Sequence, residues 1–187
     1  MSAAWTHPIH AAATARARAL ADHLPCLVTG RLTLRAPRLS DWPLLEEIWT
    51  GPRSDHIGGP FTDEEAWLDF NQCVAGWLLR GFGPLTITDT DTGCVLGLAV
   101  WGHELGDPEP ELGWLLTAAA EGQGYATEAA RAVLAFAQSE GARPVSYIAT
   151  GNDRSVRVAA RLGGVASDPH PLDATVSTWR YPAEAPT

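Results

Sequence analysis

The 187-residue chain lacks any apolar run near the roughly 18 residues that a membrane-spanning helix requires. A signal-peptide pattern is also missing at its start, because polar residues interrupt it and Arg16 and Arg18 lie inside the only alanine-rich stretch. These absences predict a cytoplasmic protein that does not associate with membranes.

Cysteine and basic residues are both scarce. The three cysteines, Cys26, Cys73 and Cys94, form no CxxC pair, which fits a reducing compartment and argues against a disulfide framework. The six histidines show no metal-binding spacing, so no bound metal is expected. With 13 Lys and Arg against 22 Asp and Glu, the net charge of −9 argues against nucleic-acid binding, which needs clustered cations. An acidic surface suits a cationic acceptor such as an amine, although it also serves simple solubility.

The length and a hydrophobic fraction of 45% favour one domain with a sizeable core. Residues 1–25 are interpreted as an N-terminal helical extension, because 11–24 is alanine-rich and Pro25 ends it. The main domain is then 26–187.

Alternating and helical hydrophobic periods predict a mixed α/β fold. Thr62 and Glu65 form a capping box that opens a helix, and Ser40 or Asp41 can cap the helix before it. The predicted strands cover 31–35, 85–88, 95–101, 111–116, 144–150 and 175–181, and helices follow positions 41, 62, 125 and 152. This order indicates an antiparallel centre followed by a βαβ crossover.

Residues 121–128 read Glu-Gly-Gln-Gly-Tyr-Ala-Thr-Glu and separate a predicted strand from a strong helical run. Glycines at such a turn let backbone amides converge on a ligand, and the helix N-terminus adds partial positive charge. Gly122, Gly124 and Ala126 would let the amides of 122–127 surround a phosphate or pyrophosphate, with Gln123 and Thr127 as further side-chain donors. The alternative is an ordinary left-handed turn before a helix.

Four segments, in this order, resemble the GNAT acyltransferase family, and more narrowly its Rim-type branch, which acetylates protein N-termini, with its small-amine relatives. They are 31–35 with Ser40-Asp41, 111–116, 122–129, and 152–155 followed by Arg161-Leu-Gly163. The resemblance spans residues 27–181. It implies the GNAT fold, a mostly antiparallel twisted sheet with a βαβ acyl-CoA-binding crossover, in which the fourth and fifth predicted strands splay apart.

The resemblance also implies acetyl-CoA as acyl donor and a primary amine as acceptor, either a protein N-terminus or a small molecule. The amine would attack the thioester directly, in a monomer or homodimer. Backbone groups around Leu115 and Leu116 would polarise the carbonyl and accept the pantetheine arm. The loop from Gly122 to Thr127, including Tyr125, would hold the pyrophosphate.

Asn152 is expected either to bind the pantetheine or only to cap its helix. Ser155 occupies the position that Rim-type members use for the general acid, and the alternative is a capping serine. Glu111 is the candidate general base, because strand alternation places it on the face of Gly113 and Leu115. Glu109, His103 and Asp173 are the reserve candidates.

The chain departs from the family pattern in three places. Glu121 stands where Arg or Gln is usual, no Tyr follows Asn152 at the common general-acid position, and Leu162-Gly163 lacks the usual aromatic neighbour. The first two departures keep open an inactive domain that binds acyl-CoA as a sensor or partner module. A Rossmann nucleotide site is disfavoured, because Thr127 fills its third glycine position.

The acceptor groove is expected from two variable loops, 51–61 and 102–110, and from the segment 165–175. Four tryptophans are candidates for lining this groove, although a packing role suits each of them better. They are Trp49, Trp67, Trp77 and Trp101.

Overall fold

The computed structural model describes residues 10–183, in which the chain forms one eight-stranded sheet and five α-helices. The strands are β1 Leu27–Val28, β2 Leu32–Arg35, β3 Pro84–Asp89, β4 Val95–Gly102, β5 Glu111–Leu116, β6 Val145–Ala149, β7 Val165–His170 and β8 Asp173–Arg180. The helices are α1 Ala11–Ala21, α2 Trp42–Thr50, α3 Asp63–Leu79, α4 Tyr125–Ser139 and α5 Asp153–Arg161.

The strands are arranged in the order β1-β2-β3-β4-β5-β6-β8-β7. Every neighbouring pair is antiparallel except β5 and β6, which are parallel and are connected through α4. A parallel pair needs such a crossover, because its second strand must begin at the same end of the sheet as its first. The predicted mixed α/β fold with a βαβ unit is confirmed.

The parallel pair separates almost at once. β4 and β5 align through six residue pairs, whereas β5 and β6 align only at Glu111 and Val145. Past that point the Ser146 hydroxyl donates to the Leu112 carbonyl, in place of a backbone amide of β6. The predicted splay is therefore present, and it leaves the end of β5 open on its β6 side.

Local sequence signals explain where the helices begin. The Thr62 hydroxyl accepts a hydrogen bond from the Glu65 amide at 3.3 Å, and the Glu65 carboxylate accepts from the Thr62 amide at 2.9 Å, which completes the predicted capping box of α3. Gly124, in the left-handed conformation with φ +82°, directly precedes α4. One face of α4 is fully buried: Ala129, Ala130, Val133, Leu134 and Ala137.

The core lies on both faces of the sheet. Leu112 of β5 packs in the cluster beneath α4, while Leu115, three residues later, contacts a second cluster formed around α2 and α3. Successive residues of a strand point to opposite faces, and these two leucines are three positions apart, so β5 serves both clusters. Trp49 belongs to the second cluster, and Trp77 and Trp101 to the first, each at most 7% exposed, so all three pack in the core.

Three expectations differ from the structure. Residues 165–170 form the edge strand β7, where no strand was predicted, because they pair with β8 despite their polar, exposed sequence. Residues 27–28 add a short strand beside β2. α1 ends at Ala21 and buries no residue, while part of the expected extension, 1–9, lies outside the described residues. The boundary between 25 and 26 stays a prediction. Within 10–183, no helix has the length and apolar character needed to cross a bilayer.

Candidate functional site

A cleft of about 940 Å³ opens where β5 and β6 separate. Its floor is the end of β5 and the glycine turn, and its walls are the short helix Pro52–His56 on one side and the start of α5 on the other. Eight of the eleven predicted site residues line it: Leu115, Leu116, Gly122, Gly124, Ala126, Thr127, Asn152 and Ser155. The fold therefore brings together segments that are separated by about 40 residues in sequence.

The glycine turn presents backbone rather than side chains to the cleft. Gly122 and Gly124 have φ angles of +75° and +82°, which L-residues adopt only with strain. A Cβ on Gly122 would meet no protein atom within 4 Å. Packing within the protein therefore does not require glycine here, and the missing side chain leaves the cleft open.

Free amides complete this anion-binding geometry. The first α4 hydrogen bond to the turn runs from the Glu128 amide to the Gly124 carbonyl at 3.1 Å. The amides of Tyr125, Ala126 and Thr127 precede it and have no carbonyl acceptor within the helix. Donors at a helix N-terminus next to glycines suit a diphosphate, so the residues present fit the phosphates of coenzyme A.

Two predicted loop residues do not direct their side chains to the cleft. The Gln123 amide group donates to the Ala119 carbonyl at 2.9 Å, which turns it back toward the preceding turn. The Tyr125 ring packs against the core and lies beneath the Arg31 guanidinium, 4.6 Å from the ring centroid. Only the backbone of these two residues is available to a ligand in the turn.

Asn152 and Ser155 lie together at the start of α5. The Asn152 side-chain oxygen accepts the Ser155 amide at 3.1 Å, so Asn152 caps the helix and also lines the cleft. Because the cap uses the Ser155 backbone, the half-buried Ser155 hydroxyl is not needed for it. No hydrogen bond within 10–183 engages that hydroxyl, and the residue borders the cleft.

Glu111 lies at the opposite end of β5, outside the residues that line the cleft. Burial raises the pKa of Glu111 to about 8, with a smaller contribution from the nearby carboxylates of Glu104 and Asp107. A hydrogen bond from the Tyr147 amide opposes this shift and has a smaller effect. A carboxylate oxygen of Glu111 lies 3.9 Å from the position that a Cβ on Gly113 would occupy. The absent side chain therefore leaves space beside the carboxylate along the strand.

The reserve base candidates are all engaged elsewhere. Glu109 forms an ion pair with Arg180 at 2.5 Å, and these bonds lower its pKa. His103 contacts the Asp107 carbonyl at 3.0 Å, and Asp173 accepts from Thr175 within a turn. Of the acidic candidates, Glu111 is the one with its pKa raised toward neutrality.

Arginines around the cleft were not identified from the sequence. Arg53 lies on one wall, and α5 supplies the others on the opposite wall: Arg154, Arg157 and Arg161. The helical spacing of the α5 set is a usable sequence signal, since it places them along one side of the helix. Arg53 has no such signal, because it lies about 100 residues earlier. Cations outnumber carboxylates in the lining, which favours an anionic ligand.

A second grouping that the sequence did not predict lies near Glu111. Asp69, Cys73 and Glu104 place their ligand atoms within 4.8 Å of one another. The neighbouring carboxylates and burial raise the pKa of the Cys73 thiol, with burial the larger cause. This end of β5 is therefore acidic, in contrast to the arginine-lined cleft.

Comparisons with known proteins agree with this geometry. The family model described as an acetyltransferase (GNAT) domain matches residues 31–165. An acetyltransferase of known structure from Agrobacterium tumefaciens strain C58 is 37% identical, with a TM-score of 0.78, over 85% of this chain and 95% of that one.

Two other proteins are more distant. The uncharacterized N-acetyltransferase YnaD of Bacillus subtilis (strain 168) is 29% identical over 141 residues, which are 73% of this chain and 81% of that protein. RimL, a ribosomal L7/L12 alpha-N-protein acetyltransferase solved with coenzyme A, is 17% identical with a TM-score of 0.65, over 86% of this chain and all of that one, and shows a shared fold. With its family-model match, its fold and its glycine turn, this chain belongs to the GNAT acetyltransferase family.

Proposed function

We propose that this protein transfers an acetyl group from acetyl-CoA to a primary amine, either a small cationic amine or a protein N-terminus. The observation that carries the proposal is the cleft at the divergence of β5 and β6, which joins the glycine turn to an open strand edge. The fold relative RimL was solved with coenzyme A, which supports a donor of the same kind here.

Acetyl-CoA supplies a thioester carbonyl that is reactive toward an unprotonated amine. The amides that follow Gly122 bind the diphosphate, aided by the arginines of the two walls. The exposed edge of β5 at Leu115 and Leu116 bonds the pantetheine arm as an added strand and orients the acetyl carbonyl. Backbone N–H groups at this edge polarise the carbonyl oxygen.

Glu111 accepts the proton of the acceptor ammonium. It lies four positions before Leu115, about 13 Å along an extended strand, so the proton must travel through ordered water. A carboxyl group with a pKa near 8 is matched to this task, because it is partly ionised at neutral pH yet basic enough to take a proton. Ser155 donates a proton to the leaving sulfur from the far wall.

Acidic residues around Glu111 favour an acceptor that carries positive charge. Glu104 and Asp107 act on its pKa, and Asp69 lies beside Glu104. An ammonium group approaching this end of the strand is attracted by these carboxylates, whereas an anionic acceptor is repelled. These carboxylates favour cationic small amines and protein N-termini over acidic acceptors.

Calorimetric titration with acetyl-CoA tests the donor, with Gly124→Trp as the control that fills the turn. Micromolar binding by the wild type and its loss in the variant support the proposal; no binding by the wild type overturns it. A panel of amines is then tested for acceptor-dependent release of coenzyme A by chromatography, because the exposed Cys26 and Cys94 react with thiol dyes. Binding without release by any amine indicates an inactive acyl-CoA-binding module.

A further inference from the structure

Glu121 is the residue at which this chain departs from the usual Arg or Gln of its family, and the structure shows what it contacts. Its carboxylate bonds Arg53 from one wall of the cleft and Arg154 from the other. Arg154 donates through Nη1 to both carboxylate oxygens, at 2.8 and 3.0 Å. A single carboxylate on the floor therefore links two walls that are 101 residues apart in sequence.

A carboxylate directly before the glycine turn is unexpected beside a diphosphate site, because like charges repel at this distance. The two arginines offset that charge, so the group of three residues carries a net positive charge. Glu121 keeps 32% and Arg53 25% of its side chain exposed, so this pair is partly shielded from water. Arg154, at 73% exposed, would be mobile without its partner.

Both arginines retain hydrogen-bonding capacity. A guanidinium group has five N–H donors, and each of these two contacts Glu121 through Nη1 alone. No other hydrogen bond within residues 10–183 engages either guanidinium group. Each can therefore bind Glu121 and a phosphate oxygen at the same time, and a ligand does not have to displace the carboxylate.

We infer that Glu121 is a positioning residue for donor binding, which holds Arg53 and Arg154 toward the cleft so that their remaining N–H groups bind the phosphates of the acyl donor. The inference rests on the proposed function, since it presumes a coenzyme A thioester in the cleft. It adds a role for three residues outside the glycine turn. Binding energy then comes from preorganised guanidinium groups, because their side-chain entropy is lost before the ligand arrives.

The sign of the effect of Glu121→Gln separates this role from simple electrostatics. Removing a negative charge beside an anion site should by itself strengthen binding. Loss of the arginine positions should instead raise the Kd for coenzyme A about tenfold, the effect of one lost charge-assisted hydrogen bond. Glu140→Gln, at the far end of α4, makes the same charge change away from the cleft and should leave the Kd unchanged.

A donor without phosphates separates positioning from a merely structural role. For S-acetylpantetheine, which lacks the diphosphate and the nucleotide, kcat/KM should be the same in wild type and Glu121→Gln. For acetyl-CoA it should fall about tenfold. A structural defect would lower kcat/KM for both donors, and that result overturns the inference. A Glu121→Gln variant that binds coenzyme A at least as tightly as the wild type also overturns it.

Arginine variants provide a second test that does not need Glu121→Gln to fold. Arg53→Gln and Arg154→Gln should each raise the Kd for coenzyme A, and adding Glu121→Gln to either should raise it by less than the sum of the separate effects. Unchanged affinity in both arginine variants overturns the inference. A wild type that binds no coenzyme A overturns the proposed function instead, so the two failures are distinguishable.

Discussion

Glu111 on β5 is aligned with Val145 on β6, and this is the single aligned pair between the two strands in the described part of the chain. The general-base candidate therefore lies where the sheet is still closed, and the proposed donor cleft lies where it has opened. The acidic end of β5 and its arginine-lined end therefore lie on either side of the point where β5 and β6 separate. An acceptor and a donor of opposite charge can thus approach the strand from opposite ends.

Glu111→Gln should lower kcat and remove the pH dependence of the reaction near neutrality. The base is active when ionised, and its pKa is raised to about 8, so the wild-type rate should rise with pH toward that value. We expect a loss of about 100-fold in kcat, within the range for a general base. Rates measured from pH 6 to 9 with one amine test this.

Glu109→Gln is the matched control for that experiment. It removes a carboxylate two residues away that is paired with Arg180 and has a lowered pKa, so the profile should not change. A flattened profile in Glu109→Gln together with a normal one in Glu111→Gln would assign the base to Glu109 and contradict our proposal.

Folding stability should also depend on pH through Glu111. Its pKa is raised from 4.5 to about 8, so between these values the folded state holds a proton that the unfolded state has released. The free energy of unfolding should therefore decrease as pH rises through this interval, and it should decrease less in the Glu111→Gln variant. Urea unfolding at pH 5 and pH 8 measures both slopes, and parallel losses in the two proteins would contradict the prediction.

Gly122→Ala and Gly141→Ala form a matched pair. Both glycines have positive φ, +75° and +82°, and a Cβ at either meets no atom within 4 Å. Each change should cost about 1 kcal/mol of folding stability through backbone strain. Only Gly122→Ala should weaken acetyl-CoA binding in calorimetry, because Gly141 lies beyond the other end of α4. Equal affinities would show that the turn is structural alone.

Ser155→Ala and Asn152→Ala should separate catalysis from capping. The α5 cap uses the Asn152 side chain and the Ser155 amide, so Ser155→Ala keeps the cap and should lower kcat about tenfold without changing the melting temperature. Asn152→Ala should instead cost about 1 kcal/mol of stability. An unchanged kcat in Ser155→Ala would remove Ser155 as the proton donor to sulfur.

Local patterns predicted the elements that form the cleft. The capping box at Thr62 and the glycine turn before α4 were recognisable because both act over fewer than six residues. β7 was missed because its residues are exposed and polar, so no hydrophobic alternation marks it, and its existence depends on pairing with β8. Gln123 was predicted as a side-chain donor, yet its contact with Ala119 lies within the turn itself.

The sequence by itself determined the order of the strands and helices apart from β1 and β7, the crossover, and the glycine turn before α4, because hydrophobic period and glycine placement act locally along the chain. Only the tertiary structure decided which charges meet. Glu121 pairs with Arg53 and Arg154, which lie more than 30 residues before and after it in sequence. Glu111 is affected by Glu104 and Asp107, which a folded loop brings close to it. Such electrostatic neighbours are set by packing, and no spacing in one sequence encodes them.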